Sequence, residues 1–196
     1  MRSSASPHPV PPTPGGAGDE EAALLARELG APSFTLRPID PGTRIGHVHL
    51  KVADLERSLA FYCGVLGFSL TQRYGRQAAF VSAGGYHHHL GLNTWDSRGG
   101  RPPAPGTTGL FHAAILYPTR PALADALQRL IAARIPLDGA SDHGVSEALY
   151  LRDPDENGLE LYWDRAPELW PRDAQGNLAM DTRPLDLQGL LACAQV

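Results

Sequence analysis

The chain has 196 residues, of which 42% are hydrophobic, and its formal net charge at pH 7 is −4. This length is sufficient for one substantial hydrophobic core or two small ones. Acidic and basic residues are interspersed, which excludes a basic face for nucleic acid or for an anionic membrane. Cys63 and Cys193 lack the spacing of a disulfide framework and indicate reduced thiols in a cytoplasmic protein. No apolar run or leader pattern predicts a membrane span or a signal peptide.

The N-terminal region carries little hydrophobic patterning. Residues 1–18 are rich in Pro, Gly, Ser and Ala, so they bury too little apolar surface to offset the entropy of ordering. We expect a disordered tail there, with no role for His8. Residues 19–43 are predicted to form a short helix over residues 20–29, capped by Asp19, and then an extended lead-in.

A strand pattern occurs twice, with His47 and His112 at equivalent positions 65 residues apart. The first copy is R-I-G-H-V-H-L-K-V-A-D at residues 44–54, and the second is G-L-F-H-A-A-I-L-Y at residues 109–117. Successive side chains of a strand point to opposite faces, so each strand has one apolar face and one face that carries histidine. The repeat predicts two related modules.

Each copy of the pattern begins the same order of elements: strand, helix, three strands. The first module covers residues 44–95, with a helix that begins after Asp54 and ends at Gly67. A Pro- and Gly-rich linker over residues 96–108 leads to the second module at residues 109–165. Residues 166–196 are expected to pack on the core or on a partner subunit. The remaining predicted strands cover residues 69–74, 77–83, 87–95, 136–140, 145–152 and 159–164, and the second helix covers residues 120–134.

Four polar residues recur on the faces opposite the apolar ones. His47 and His112 lie in the first strands of the modules, and His89 and Glu160 lie in the last strands. We therefore predict an α+β fold in which two βαβββ modules form a half-open mixed β-barrel. The helices would cover the convex faces, and these four side chains would meet at one concave site. Tyr150 should lie beside Glu160 across a hairpin.

The chemistry of these four residues indicates a metal site. Neutral imidazoles and a carboxylate are the ligands that divalent first-row metals bind. Two histidines and one carboxylate that leave coordination positions open are typical of non-haem iron(II) oxygen chemistry.

The hairpin connection D-P-D-E-N-G contains several acidic residues. Asn157-Gly158 suits a tight turn between two strands. Asp153, Asp155 and Glu156 are expected to be ordinary turn residues with solvated side chains.

The stretches H-V-H-L-K-V-A-D-L-E-R-S-L-A-F-Y-C-G-V-L-G-F and D-P-D-E-N-G-L-E-L-Y resemble the vicinal oxygen chelate superfamily. This superfamily includes glyoxalase I, fosfomycin-resistance proteins and type I extradiol ring-cleaving dioxygenases. The resemblance covers residues 44–165. Glyoxalase I has glutamate where this chain has His89, whereas the strand H-H-H-L-G-L-N is more similar to that of the extradiol dioxygenases. By this resemblance the chain would be a one-domain extradiol enzyme.

The resemblance implies a ligand set and a reaction. His47, His112 and Glu160 would bind iron(II), with manganese, nickel or zinc as alternatives. The enzyme would be an extradiol dioxygenase that cleaves a catechol-like aromatic diol with O2. The implied partners are this small aromatic substrate, O2 and a second copy of the chain in a homodimer.

The resemblance also implies three catalytic residues. His89 would be an acid and base beside the metal, Tyr150 matches an active-site tyrosine, and His143 lies near a position where the family carries a substrate-contacting histidine. Each has an alternative interpretation: a strand residue or a fourth ligand for His89, a core tyrosine for Tyr150, and a locally bonded turn residue for His143.

Two further questions stay open at this stage. The chain could instead be a glyoxalase-type metal-dependent lyase or isomerase, or a non-catalytic protein that binds a small molecule. The modules could pair within one chain or across a dimer, because both arrangements satisfy the same strand alternation.

Overall fold

The structure, a computed structural model, describes residues 39–194. The predicted tail over residues 1–18 and the predicted helix over residues 20–29 lie outside the described residues. Among the residues described, no helix is both long and apolar enough to cross a membrane.

The first module contains a four-stranded sheet and one helical segment. A short helix α1 (Leu55–Leu59) begins after Asp54, whose carboxylate accepts a hydrogen bond from the Arg57 N–H at 3.0 Å. It continues as a π-helix (Ala60–Val65), and the chain turns at Gly67, which has a φ of 85°. The sheet has the order β1-β4-β3-β2, with β1 parallel to β4. Its strands are β1 (Val48–Lys51), β2 (Ser69–Tyr74), β3 (Ala78–Ser82) and β4 (Leu90–Asn93).

The second module repeats this plan. Helix α2 (Arg120–Ala132) is capped by the Thr119 hydroxyl and follows the first strand of the sheet. The sheet has the order β5-β8-β7-β6-β9, and β5 is parallel to β8 as β1 is to β4. Its strands are β5 (Ala113–Leu116), β6 (Gly139–Asp142), β7 (Ser146–Arg152), β8 (Gly158–Asp164) and β9 (Arg183–Pro184).

The α+β class and the repeated order of elements are confirmed. The described strands form two separate sheets that do not close into a barrel, because β1 and β5 are each the terminal strand of their own sheet. The strand predicted over residues 87–95 is shorter, Leu90–Asn93, and the strand predicted over residues 136–140 lies later, at Gly139–Asp142.

One hydrophobic core cluster joins both modules and the C-terminal segment. It includes Tyr62 and Leu92 from the first module, Leu127 and Leu161 from the second, and Leu190 from the final helix α3 (Leu187–Leu191). Leu190 is fully buried. Helix α3 therefore packs on the core of the same chain.

The prediction for two of the hairpin acids is wrong. Asp153 and Asp155 have relative exposures of only 3% and 9%. The Asp153 carboxylate accepts a hydrogen bond from the buried Tyr62 hydroxyl at 2.9 Å, and Asp155 accepts one from the Ala53 N–H at 3.0 Å. Arg57 forms an ion pair with Asp155. The acids are buried because the β7–β8 turn packs against α1, so this turn ties the second module to the first.

Candidate active site

The centre of the candidate site is Glu160 on β8. Its direct partner in the neighbouring strand β7 is Tyr150, as hairpin symmetry predicts. The Tyr150 hydroxyl donates a hydrogen bond to Glu160 Oε1 at 3.2 Å. Both side chains are partly buried, so this polar pair lies in a sheltered environment.

His112 reaches the same carboxylate from the strand on the other side. It immediately precedes β5, which runs parallel to β8 with Ala113 opposite Leu159. His112 Nε2 lies 3.0 Å from Glu160 Oε2. Glu160 therefore contacts Tyr150 with one oxygen and His112 with the other.

His143 extends this chain of contacts beyond Tyr150. It lies in the turn between β6 and β7, and its Nε2 is 2.7 Å from the Tyr150 hydroxyl. Its Nδ1 lies 3.1 Å from the backbone carbonyl oxygen of Asp181 and 3.2 Å from the Thr182 hydroxyl. Three of the predicted site residues therefore connect to Glu160 directly or through one partner.

The environment keeps Tyr150 protonated. Burial raises the pKa of the Tyr150 phenol, and the charge of Glu160 together with the hydrogen bond to it raises that pKa further. The hydroxyl is therefore a hydrogen-bond donor throughout the physiological pH range.

The donor set around Glu160 fits a divalent metal in its chemistry. An imidazole nitrogen and a carboxylate oxygen bind such ions at about 2.1 Å, so two ligand atoms at right angles around one ion lie about 3.0 Å apart. His112 Nε2 and Glu160 Oε2 have this separation. The two atoms could thus occupy neighbouring coordination positions.

His47 does not join this pair in the structure. Its ring contacts that of His88 in the first module, with centroids 4.3 Å apart and the ring planes tilted by 50°. Within residues 39–194, no group of three or more His, Cys, Asp or Glu side chains is arranged to hold a metal. Within the described part of one chain, the four predicted side chains therefore do not meet, and the two sheets that carry them are separate. That they meet across a dimer stays a prediction.

His89 is also held within the first module. Its Nδ1 accepts a hydrogen bond from the Ala83 N–H at 3.3 Å and lies 3.0 Å from the Ser82 hydroxyl. A backbone N–H can only donate, so Nδ1 carries no hydrogen and neutral His89 presents an N–H at Nε2. His89 does not contact the pair formed by His112 and Glu160.

The polar face of the first sheet is lined by aromatic rings. His49 lies over Gly91, where an added Cβ would come within 2.8 Å of the imidazole, and its ring contacts those of Phe80 and Trp95. Burial lowers the pKa of His49, and the charge of His47 lowers it further. This face therefore combines imidazole rings with flat apolar surfaces.

Sequence reasoning missed the contribution of residues 181 and 182. They come from the C-terminal segment, which bears no strand alternation and none of the repeated motifs. Thr182 is exposed, and a single polar residue in such a segment carries no signal that would link it to His143. Only the pairing of β9 with β6 brings it there.

Comparisons with known proteins place this geometry in a family. Residues 44–161 match the Glyoxalase/Bleomycin resistance protein/Dioxygenase superfamily. The chain is 46% identical over 153 residues to a catechol-2,3-dioxygenase of Bacillus subtilis (strain 168), covering 78% of this chain and 53% of that protein. It is 34% identical over 128 residues to biphenyl-2,3-diol 1,2-dioxygenase 3 of Rhodococcus globerulus, covering 62% of this chain and 63% of the relative. The chain thus spans about half to two thirds of the length of these relatives.

A solved structure supports the fold. The crystal structure of a glyoxalase/dioxygenase from Nostoc punctiforme superposes with a TM-score of 0.54 at 21% sequence identity, covering 66% of this chain and 98% of that chain. At this identity the likeness concerns the fold alone. The match over residues 44–161 spans both modules, and the chain belongs to the glyoxalase/bleomycin resistance protein/dioxygenase superfamily.

Proposed function

We propose that the chain is an extradiol dioxygenase that cleaves the ring of a catechol-like aromatic diol with O2. The two dioxygenase relatives, at 46% and 34% identity, support this reaction class. The observation that carries the proposal is the unbroken set of contacts from His112 through Glu160 and Tyr150 to His143. It would combine ligands for a metal with groups that can carry protons at one place, as ring cleavage requires.

We assign metal binding to His112, Glu160 and His47, with iron(II) as the metal and manganese, nickel or zinc as alternatives. His112 and Glu160 supply neighbouring donors in one chain. His47 would complete the set, supplied by the same chain or by the second copy of a homodimer. His112, Glu160 and His47 would hold the iron(II), which would supply a Lewis-acid centre at the place where the diol and O2 react.

The other residues of the site would donate and accept protons during the reaction. Tyr150 stays protonated, and its hydroxyl lies within hydrogen-bond distance of both Glu160 and His143, so it can orient both. A histidine has an ordinary pKa near the working pH and can carry a proton in either direction. We assign this acid and base role to His89; to take a proton from the diol, its ring must turn so that the unprotonated Nδ1 leaves the Ala83 N–H. The two unpaired cysteines, Cys63 and Cys193, support a reduced cytoplasmic location.

The test is aerobic addition of catechol to protein that has been loaded with iron(II) without oxygen. We expect a yellow ring-fission product. Glu160→Ala should lower its rate of formation by more than about 100-fold, because even the outer partners of metal ligands contribute about 10–100-fold. Glu168→Ala, which removes an exposed carboxylate outside the site, is the matched control and should be unchanged. Iron-bound protein that forms no product would contradict the proposal.

A further inference from the structure

We propose that the C-terminal segment, defined here as residues 171–186, is part of the active site. In it, Thr182 and the backbone carbonyl of Asp181 act as positioning groups for His143. The catalytic consequence of this inference rests on the proposed function. The segment lies beyond residue 161, where the family match ends, so the family match does not include it.

The segment is anchored on both sides of His143. Strand β9 pairs with β6, with Arg183 opposite Asp142 and Pro184 opposite Ser141. The Asp181 N–H donates to the His143 carbonyl oxygen at 3.3 Å. These backbone contacts hold residues 181 and 182 directly against the turn that carries the imidazole.

Gly144 brings a second part of the segment against this turn. It has a φ of 75°, and a Cβ added there would lie 2.9 Å from Pro171 Cγ. The close approach of Pro171 thus depends on glycine next to His143. The β6–β7 turn therefore contacts the C-terminal segment at two places, at Pro171 and at strand β9.

The two groups at Nδ1 determine where the imidazole carries its hydrogen. The Asp181 carbonyl oxygen, 3.1 Å away, can only accept a hydrogen bond, so Nδ1 bears the hydrogen. The Thr182 hydroxyl oxygen at 3.2 Å accepts from the same N–H. In neutral His143, the lone pair is then on Nε2 and faces the Tyr150 hydroxyl at 2.7 Å.

This tautomer controls the hydrogen of Tyr150. The phenol has one hydrogen, and the acceptors within its reach include His143 Nε2 at 2.7 Å and Glu160 Oε1 at 3.2 Å. If His143 carried its hydrogen on Nε2, it would donate to Tyr150, and the phenol hydrogen would be free to turn toward Glu160. The C-terminal segment therefore determines how strongly Tyr150 bonds to the carboxylate.

The first test compares Thr182→Val with Thr182→Ser in the full-length, iron-loaded protein. Valine keeps the shape of threonine but removes the acceptor, whereas serine keeps the hydroxyl. We expect Thr182→Val to lower kcat by about 10-fold with little change in KM, because His143 loses a hydrogen-bond partner that orients its ring. Thr182→Ser should restore most of kcat. Thr182 is exposed, so both variants should fold.

The second test determines the tautomer of His143 directly and does not require catalytic turnover. Nitrogen-15 NMR of the imidazole rings, with the His143 signals assigned by their loss in His143→Gln, should show the hydrogen on Nδ1. Thr182→Val should increase the share of the Nε2–H form, and Thr182→Ser should not. An Nε2–H form in the unmodified protein, or a tautomer and kcat unchanged in Thr182→Val, would overturn the inference. If the tautomer behaves as expected but no diol is cleaved, the positioning role stands and the proposed function fails.

Discussion

At the scale of single residues, Gly158 sets the distance between His112 and Glu160. A Cβ at position 158 would lie 2.1 Å from the Phe111 carbonyl oxygen and 3.1 Å from His112 Cβ. Any side chain there must push the start of β5 away from β8. Glycine is thus required in the sequence N-G-L-E for close approach of the two backbones, in addition to its role in the turn.

We predict that Gly158→Ala separates His112 from Glu160 while the fold is retained. The overpacked contact should lower the free energy of unfolding by about 1–3 kcal/mol. Metal affinity should fall more steeply than this loss of stability implies, because two ligands move apart. Isothermal titration with iron(II) or manganese, together with urea unfolding, measures both effects.

The control for this substitution is Gly64→Ala. Gly64 has an ordinary φ, and an added Cβ meets no atom within 4 Å. Both stability and metal affinity should stay near those of the unmodified protein. Normal metal binding by Gly158→Ala would show that the close backbone approach does not position His112.

At the scale of elements, the β7–β8 turn connects the modules through buried polar contacts. Tyr62 is fully buried, and its hydroxyl donates to Asp153, which also accepts from the N–H groups of Asp155 and Asn157. A buried carboxylate is costly unless its oxygens are hydrogen-bonded. The turn is therefore stable only while it is packed against the helical segment of the first module.

We predict that Tyr62→Phe lowers the free energy of unfolding by about 1–3 kcal/mol, since it leaves a buried charged acceptor with one donor fewer. Urea unfolding at pH 7 measures the change. Tyr117→Phe is the control, because Tyr117 is largely buried and no side-chain hydrogen bond of its hydroxyl is found within residues 39–194. Equal losses in the two variants would argue against the Tyr62–Asp153 bond.

Tyr62 also makes the free energy of unfolding depend on pH in the alkaline range. Burial raises its pKa well above the ordinary value of 10.0, and the charge of Asp153 raises it further. Above pH 10 the unfolded chain releases this proton and the folded chain keeps it. The stabilisation is therefore complete below pH 10 and is lost as pH rises toward the folded pKa. Tyr62→Phe should show a shallower loss of stability between pH 10 and 11.

Local rules predicted the pairing within each module. Strand alternation and the Asn157-Gly158 turn were sufficient to place Tyr150 beside Glu160, because cross-strand neighbours follow from the turn. The burial of Asp153 could not be read in this way, since its partner Tyr62 is 91 residues away. Alternation likewise gives the face on which His47 lies but not the distance between two sheets.

At the scale of the whole molecule, the two sheets are separate, and His47 lies with His88 rather than with His112 and Glu160. If a second copy supplies His47, each complete site contains residues of two chains. Mixing inactive His47→Ala with inactive His112→Ala should then restore activity. Only the mixed dimers carry one intact site, so about a quarter of the unmodified activity is expected from random pairing.

The mixing experiment has a direct control. Mass spectrometry of the intact dimers shows whether the two variants have exchanged subunits. Restored activity in the exchanged sample supports a shared site, whereas exchanged dimers without activity would assign all three ligands to one chain.

Metal binding by the unmodified protein and two variants tests the central claim most directly. The measurement is the iron content of each protein after anaerobic loading and removal of free metal. We predict one iron per chain in the unmodified protein and in His89→Ala, and almost none in His112→Ala. An iron content unchanged by His112→Ala would contradict the assignment of the metal to His112 and Glu160.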